Sequence, residues 1–100
     1  MVKIVITLKA RKDLDSIKKY IALDNTEKAD SFSEELLKSC IDTLSLFPLS
    51  NPLYNKPLSI RRFIYYDYNI YYRFDKEEQT VNILHILNSA LLKNTTLKNL

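Results

Sequence analysis

The chain has 100 residues, 46% hydrophobic and 27% charged, with a formal net charge of +3. That length fits one domain, and a domain of this size hides roughly two-thirds of its unfolded surface without disulfides or metals. Glycine is absent, which excludes the dinucleotide-binding fingerprint, the phosphate-binding loop and the nucleophile elbow, and the lone Cys40 excludes an intrachain disulfide or a cysteine-type zinc site.

Val2, Ile4 and Ile6 alternate with Lys3 and Val5, the pattern of a short strand. Thr7 can then cap a helix whose apolar face is Ala10, Leu14, Ile17 and Ile21, with Lys12, Asp15, Lys18 and Lys19 facing water. Asp24, Asn25 and Thr26 break the pattern and supply a second N-cap. The next helix carries Ala29, Phe32, Leu36, Cys40, Leu44 and Phe47 as its stripe, widened by Leu37 and Ile41. Cys40 therefore reads as a small core residue rather than a reactive thiol. Glu27 and Asp30 suit the positive end of the helix dipole, and Pro48 ends the helix. So short a turn between helices predicts an antiparallel helix hairpin.

All three prolines, Pro48, Pro52 and Pro57, fall in residues 48–59, which read as a loop. Residues 60–75 hold three of the four arginines and five of the seven tyrosines, and read as a β-hairpin. Asp67 is its expected turn residue, and without glycine Asp67 and Asn25 are the positions expected to take positive φ. Tyr68, Ile70, Tyr72 and Phe74 form the core face of the second hairpin strand; Asn69, Tyr71, Arg73 and Asp75 form the other. Residues 81–87 are apolar except for Asn82 and His85, as in a central strand covered on both faces. The tail, 88–100, is weakly patterned and reads as frayed or as a short helix. The order β-α-α-β-β-β predicts an α+β fold, with the helix hairpin packed on a mostly antiparallel four-stranded sheet in a single domain over 1–100.

Charge is unevenly spread. Eight acids lie between Asp13 and Asp42, whereas Lys56, Arg61, Arg62 and Arg73 face only Asp67 in residues 56–73. A basic hairpin favours an anionic partner. Arg61 and Arg62 are adjacent on a strand and must point to opposite faces, so one of them is expected to pair with a helix carboxylate or to snorkel to the edge. The tyrosines could stack on bases, but with no RNA-binding motif they read as core and protein interface. His85 is the only histidine and cannot build a metal cluster. It reads as a polar group satisfied by a neighbour, with general acid–base work as the alternative. No metal or cofactor is expected. No signal-peptide pattern and no long apolar run occurs, so the expected location is cytoplasmic, without a membrane partner.

These residues, in this order, resemble the RelE/ParE superfamily of bacterial toxins. The resemblance rests on Ala10 to Leu14 with Ile17, Tyr20 and Ile21, then Ala29, Phe32, Leu44, Phe47 and Pro48. It continues through Arg61, Arg62 and Phe63, the run from Tyr68 to Arg73, and Val81, Ile83, Leu84, Ile86 and Leu87. It covers roughly residues 1–90 and implies the toxin of a type II toxin–antitoxin module, of the kind that stabilises plasmids. A cognate antitoxin would silence it through an acidic C-terminal segment. The family has two branches: one cuts mRNA in the ribosomal A site, the other inhibits DNA gyrase. Arg62 falls where the nuclease branch places a hairpin base. Asn69 stands where that branch often has Arg, and residues 88–93 offer no Arg, His or Tyr for acid–base work. Ile86, Leu87 and Asn88 followed by Leu91 look like the gyrase-directed branch, with Asn in place of its His. The resemblance thus implies gyrase inhibition by binding, through Arg61, Arg62, Asn69, Tyr71, Arg73 and Lys93. The alternatives are a ribosome-dependent endoribonuclease using Arg62, Arg73 and His85, or a non-toxic relative that only binds an antitoxin.

Overall fold

The computed structural model describes residues 2–89. Seven elements follow one another: β1 (Lys3–Ile6), α1 (Leu8–Ala22), α2 (Thr26–Leu46), β2 (Leu53–Asn55), β3 (Ile60–Tyr65), β4 (Tyr68–Asp75) and β5 (Thr80–Asn88). The strands form one sheet in the order β1-β5-β4-β3-β2. β1 pairs parallel to β5, and the other pairings are antiparallel. The α+β class and the helix hairpin agree with the sequence. The sheet has five strands rather than four, because residues 53–55 of the proline-rich loop pair with β3. Three residues between prolines are too short to show a strand period.

The two helix caps form as the residue types dictate. Thr7 Oγ1 accepts the Ala10 N–H at 3.3 Å and donates to the Ile83 carbonyl at 2.7 Å, so one hydroxyl starts α1 and ties it to β5. Asn25 Oδ1 accepts the Lys28 N–H at 3.0 Å. The helices cover one face of the sheet. Ala10, Ile17, Leu36, Cys40 and Leu44 meet Tyr68, Ile70, Tyr72, Val81, Ile83 and Ile86 in a single core. A register shift between β4 and β5 pairs Tyr71 with His85 but Tyr72 with Ile83. Leu84 is the extra residue of this bulge, which lets Ile83 and Ile86 both enter the core although they are three apart. Burial pushes the Cys40 thiol up to about 12, as a small apolar core residue requires.

Three expectations are corrected. Phe47 lies just past α2 and is 61% exposed, so it is not on the core stripe. The helix ends at Leu46, and Phe47 already has a non-helical backbone (φ −132°), so it does not continue the stripe. Positive φ occurs at Ser59, Tyr66 and Gln79, not at Asp67 or Asn25. In the two-residue turn between Tyr65 and Tyr68 the first position needs positive φ, and it is Tyr66 that stands there. Asn25 keeps an extended φ of −158°, as an N-cap does.

Candidate site on the outer face of the sheet

The face of the sheet turned away from the helices carries most of the residues singled out by the sequence. Arg62 pairs across the strands with Tyr71, Ile64 with Asn69, and Ile60 with Arg73. Paired residues of an antiparallel ladder share a face, so Arg62, Asn69, Tyr71 and Arg73 are brought together there. Arg61 is not. It pairs with Tyr72 on the helix side, and its Nη1 donates to the carbonyls of Asn51 at 2.6 Å and Leu49 at 3.4 Å. Its partners are loop carbonyls rather than a helix carboxylate. Tyr72 holds the same loop, donating to the Pro48 carbonyl at 2.8 Å and accepting from Asn51 Nδ2 at 3.2 Å. Arg61 thus clamps the loop and lies on the face opposite Arg62.

The outer face is less open than strand alternation suggests. Asn69 is nearly buried and Tyr71 wholly so. The ring of Tyr54, from β2, meets Tyr71 edge-on with centroids 4.8 Å apart, and the Arg62 guanidinium lies 5.6 Å from the centre of the Tyr54 ring. Tyr54 is the member of this cluster that the sequence does not reveal, because its strand is too short to read. Burial raises the Tyr71 phenol above its ordinary value, with Tyr54 adding to the rise and Arg62 opposing it. Both groups therefore stand close to the hydroxyl, yet neither meets hydrogen-bonding geometry: Tyr71 Oη is buried without a partner. Arg73 is exposed, and its Nε donates to the Leu58 carbonyl at 2.8 Å. It does not pair with Asp75. Among the described residues no carboxylate forms an ion pair with Arg61, Arg62 or Arg73.

His85 pairs with Tyr71 across the ladder, but its ring is engaged by α1. Its Nδ1 is 2.7 Å from Asp13 Oδ2, and the same oxygen accepts the Ile86 N–H at 3.0 Å. The neighbour that satisfies it is thus a carboxylate from α1. Beside that contact a groove of about 480 Å³ opens between α1 and the end of β5, lined chiefly by Ile17, Tyr20, Tyr68 and Leu87. Lys93 lies outside the described residues. Among the described residues no group of His, Cys, Asp or Glu could hold a metal ion, and no helix is long and apolar enough to cross a membrane.

Residues 4–90 match the family model of the ParE toxin of type II toxin–antitoxin systems, parDE. Among solved structures, the chain is similar to one from the chromosomal ParDE TA system of P. aeruginosa, with a TM-score of 0.71 and 20% identity over 88% of this chain and 96% of that one. It is also similar to a chain of the toxin–antitoxin complex RelBE2 from Mycobacterium tuberculosis, with a TM-score of 0.66 and 24% identity over 87% of this chain and 96% of that one. Both likenesses are of fold. No curated protein matches. The family match reaches from β1 to the end of β5, and the chain belongs to the ParE toxin family of type II toxin–antitoxin systems.

Proposed function

We propose that this toxin arrests growth by binding DNA gyrase, in the cytoplasm, and that a cognate antitoxin with an acidic segment holds it silent. The observation that carries the reading is the match to the ParE toxin family over residues 4–90. The site supports it in kind. Arg62 and Arg73, without carboxylate partners among the described residues, share a face with Tyr71, and Arg62 also contacts the half-exposed Tyr54; such a mixture adheres to a protein surface. The single histidine is engaged by Asp13. An antitoxin segment has a place to add, since β2 closes the sheet at one end and its outer edge offers main-chain groups to an incoming strand. One similar structure belongs to a ParDE TA system and the other to a RelBE2 toxin–antitoxin complex, which supports a partner of this kind.

Induction of the chain in cells, with translation read by pulse labelling and gyrase by plasmid topoisomers, tests the reading. Loss of negative supercoiling before any fall in translation is the expected result. A second reading, a ribosome-dependent endoribonuclease, is favoured by the closeness of Arg62 to the phenols of Tyr54 and Tyr71. A guanidinium can hold a phosphate while a phenol that keeps its proton donates it. Cleavage of mRNA on programmed ribosomes, abolished by Arg62→Ala, would establish that reading instead.

A further inference from the structure

A buried hydroxyl without a partner is rare in a folded chain, and Tyr71 Oη is such a group. Its neighbours are equally incomplete. Arg62, directly across the ladder, has no ion-pair partner among the described residues and rests against the Tyr54 ring. Tyr54 packs edge-on against the Tyr71 ring but is weakly held. It is 41% exposed, belongs to a three-residue edge strand, and sits at a register irregularity between the Leu53–Arg61 and Asn55–Ile60 pairings. Moving that ring uncovers a hydroxyl donor beside a guanidinium fork. Two neighbouring donors suit one shared acceptor, and a carboxylate is the planar anionic acceptor that an arginine fork fits best.

We infer that Arg62 and the Tyr71 hydroxyl form a receptor for one carboxylate of an extended, partly apolar peptide, with the Tyr54 ring as its movable cover. The surroundings favour a peptide over a nucleic acid. Leu58, beside Arg73, and Ile64, paired with Asn69 on the same face, are both substantially exposed, and would meet apolar side chains on either side of the acid. A phosphodiester strand would need repeated cations and flat stacking surfaces instead. The inference rests on the toxin–antitoxin reading in one respect: it makes an acidic antitoxin segment the natural occupant.

The test uses the full chain and a short, end-capped, fluorescently labelled peptide alternating glutamate with leucine. Its glutamine counterpart and an oligouridylate of similar length serve as competitors. The glutamate peptide should bind, with the glutamine peptide weaker by on the order of tenfold or more. Tyr71→Phe and Arg62→Gln should each weaken the glutamate peptide by about tenfold. Tyr71→Phe keeps the ring and removes only the unpartnered hydroxyl, so its melting temperature should not fall. Absence of binding, equal binding of the two peptides, or indifference to both substitutions overturns the proposal. So does preferential capture of the oligouridylate through the same two residues. A gyrase supercoiling assay on the wild-type chain separates the two ideas. Gyrase inhibition with peptide binding indifferent to Arg62 and Tyr71 removes the receptor alone; selective peptide binding without gyrase inhibition removes the functional reading alone.

Discussion

Asp13 and His85 lie 72 positions apart in the sequence and 2.7 Å apart in space. β1 ends at Ile6, so the stretch of β5 beyond Ile83 has no strand beside it on that edge. The Asp13 carboxylate fills the gap: Oδ2 takes the Ile86 N–H as well as His85 Nδ1, while Oδ1 lies 3.5 Å from Lys9 Nζ. α1 is thereby latched onto the sheet by a side chain acting where a strand would have acted.

Asp13→Ala should leave the Ile86 N–H and His85 without an acceptor in a largely buried place, and cost about 1–3 kcal/mol. For a domain of this size that is a fall in Tm of about 4–8 °C for each kcal/mol. Asp13→Asn retains an oxygen for the Ile86 N–H and should lose less. Thermal unfolding of the two variants measures the difference, and equal losses would show that the backbone acceptor is not what matters.

Arg61 and Tyr72 face each other across β3 and β4 and grip the same loop at Pro48, Leu49 and Asn51. Arg61→Ala should lower stability and leave affinity for an acidic partner unchanged. Tyr72→Phe should cost about 1 kcal/mol. Because both side chains restrain one segment, the double variant should lose less than the sum of the singles. Additive losses in urea unfolding would mean that the two act independently.

Much of this architecture is legible in the sequence because its causes are local. The spacing of Ala10, Leu14, Ile17 and Ile21 gives α1, Thr7 and Asn25 cap the helices, and alternation sorts Tyr68, Ile70 and Tyr72 from Asn69, Tyr71 and Arg73. The remainder depends on contacts between distant segments. Nothing in residues 53–55 reveals that Tyr54 will fold over Tyr71 and turn an exposed position into a buried one. The choice between the two adjacent arginines is made by the carbonyls of the loop, which no spacing encodes. Positive φ at Tyr66 follows from the length of the hairpin turn, since without glycine some side chain must accept that conformation.

Cys40 gives a pH dependence with a definite sign. Its thiol is pushed up to about 12 in the folded chain, whereas an unfolded thiol loses its proton near pH 8.5, by the usual approximate value. Below that pH both states hold the proton and stability is unaffected. Above it only the unfolded chain ionises, so stability falls as pH rises, by about 1.4 kcal/mol per unit, until the folded thiol also titrates. Tyr71 and Tyr72, raised by burial, add losses of the same sign at still higher pH. Cys40→Ala should be less stable near neutrality, through the cavity it leaves, but should decline less steeply between about pH 9 and 11, where only the unfolded thiol ionises. Parallel pH profiles for the two proteins would contradict the assignment of Cys40 to the core.

The measurement that bears most directly on the account is plasmid supercoiling by purified gyrase in the presence of the purified chain. Supercoiling should be inhibited, inhibition should be relieved by the protein encoded beside the toxin, and mRNA on programmed ribosomes should stay intact. Unimpaired supercoiling together with A-site cleavage that disappears in Arg62→Ala would contradict it.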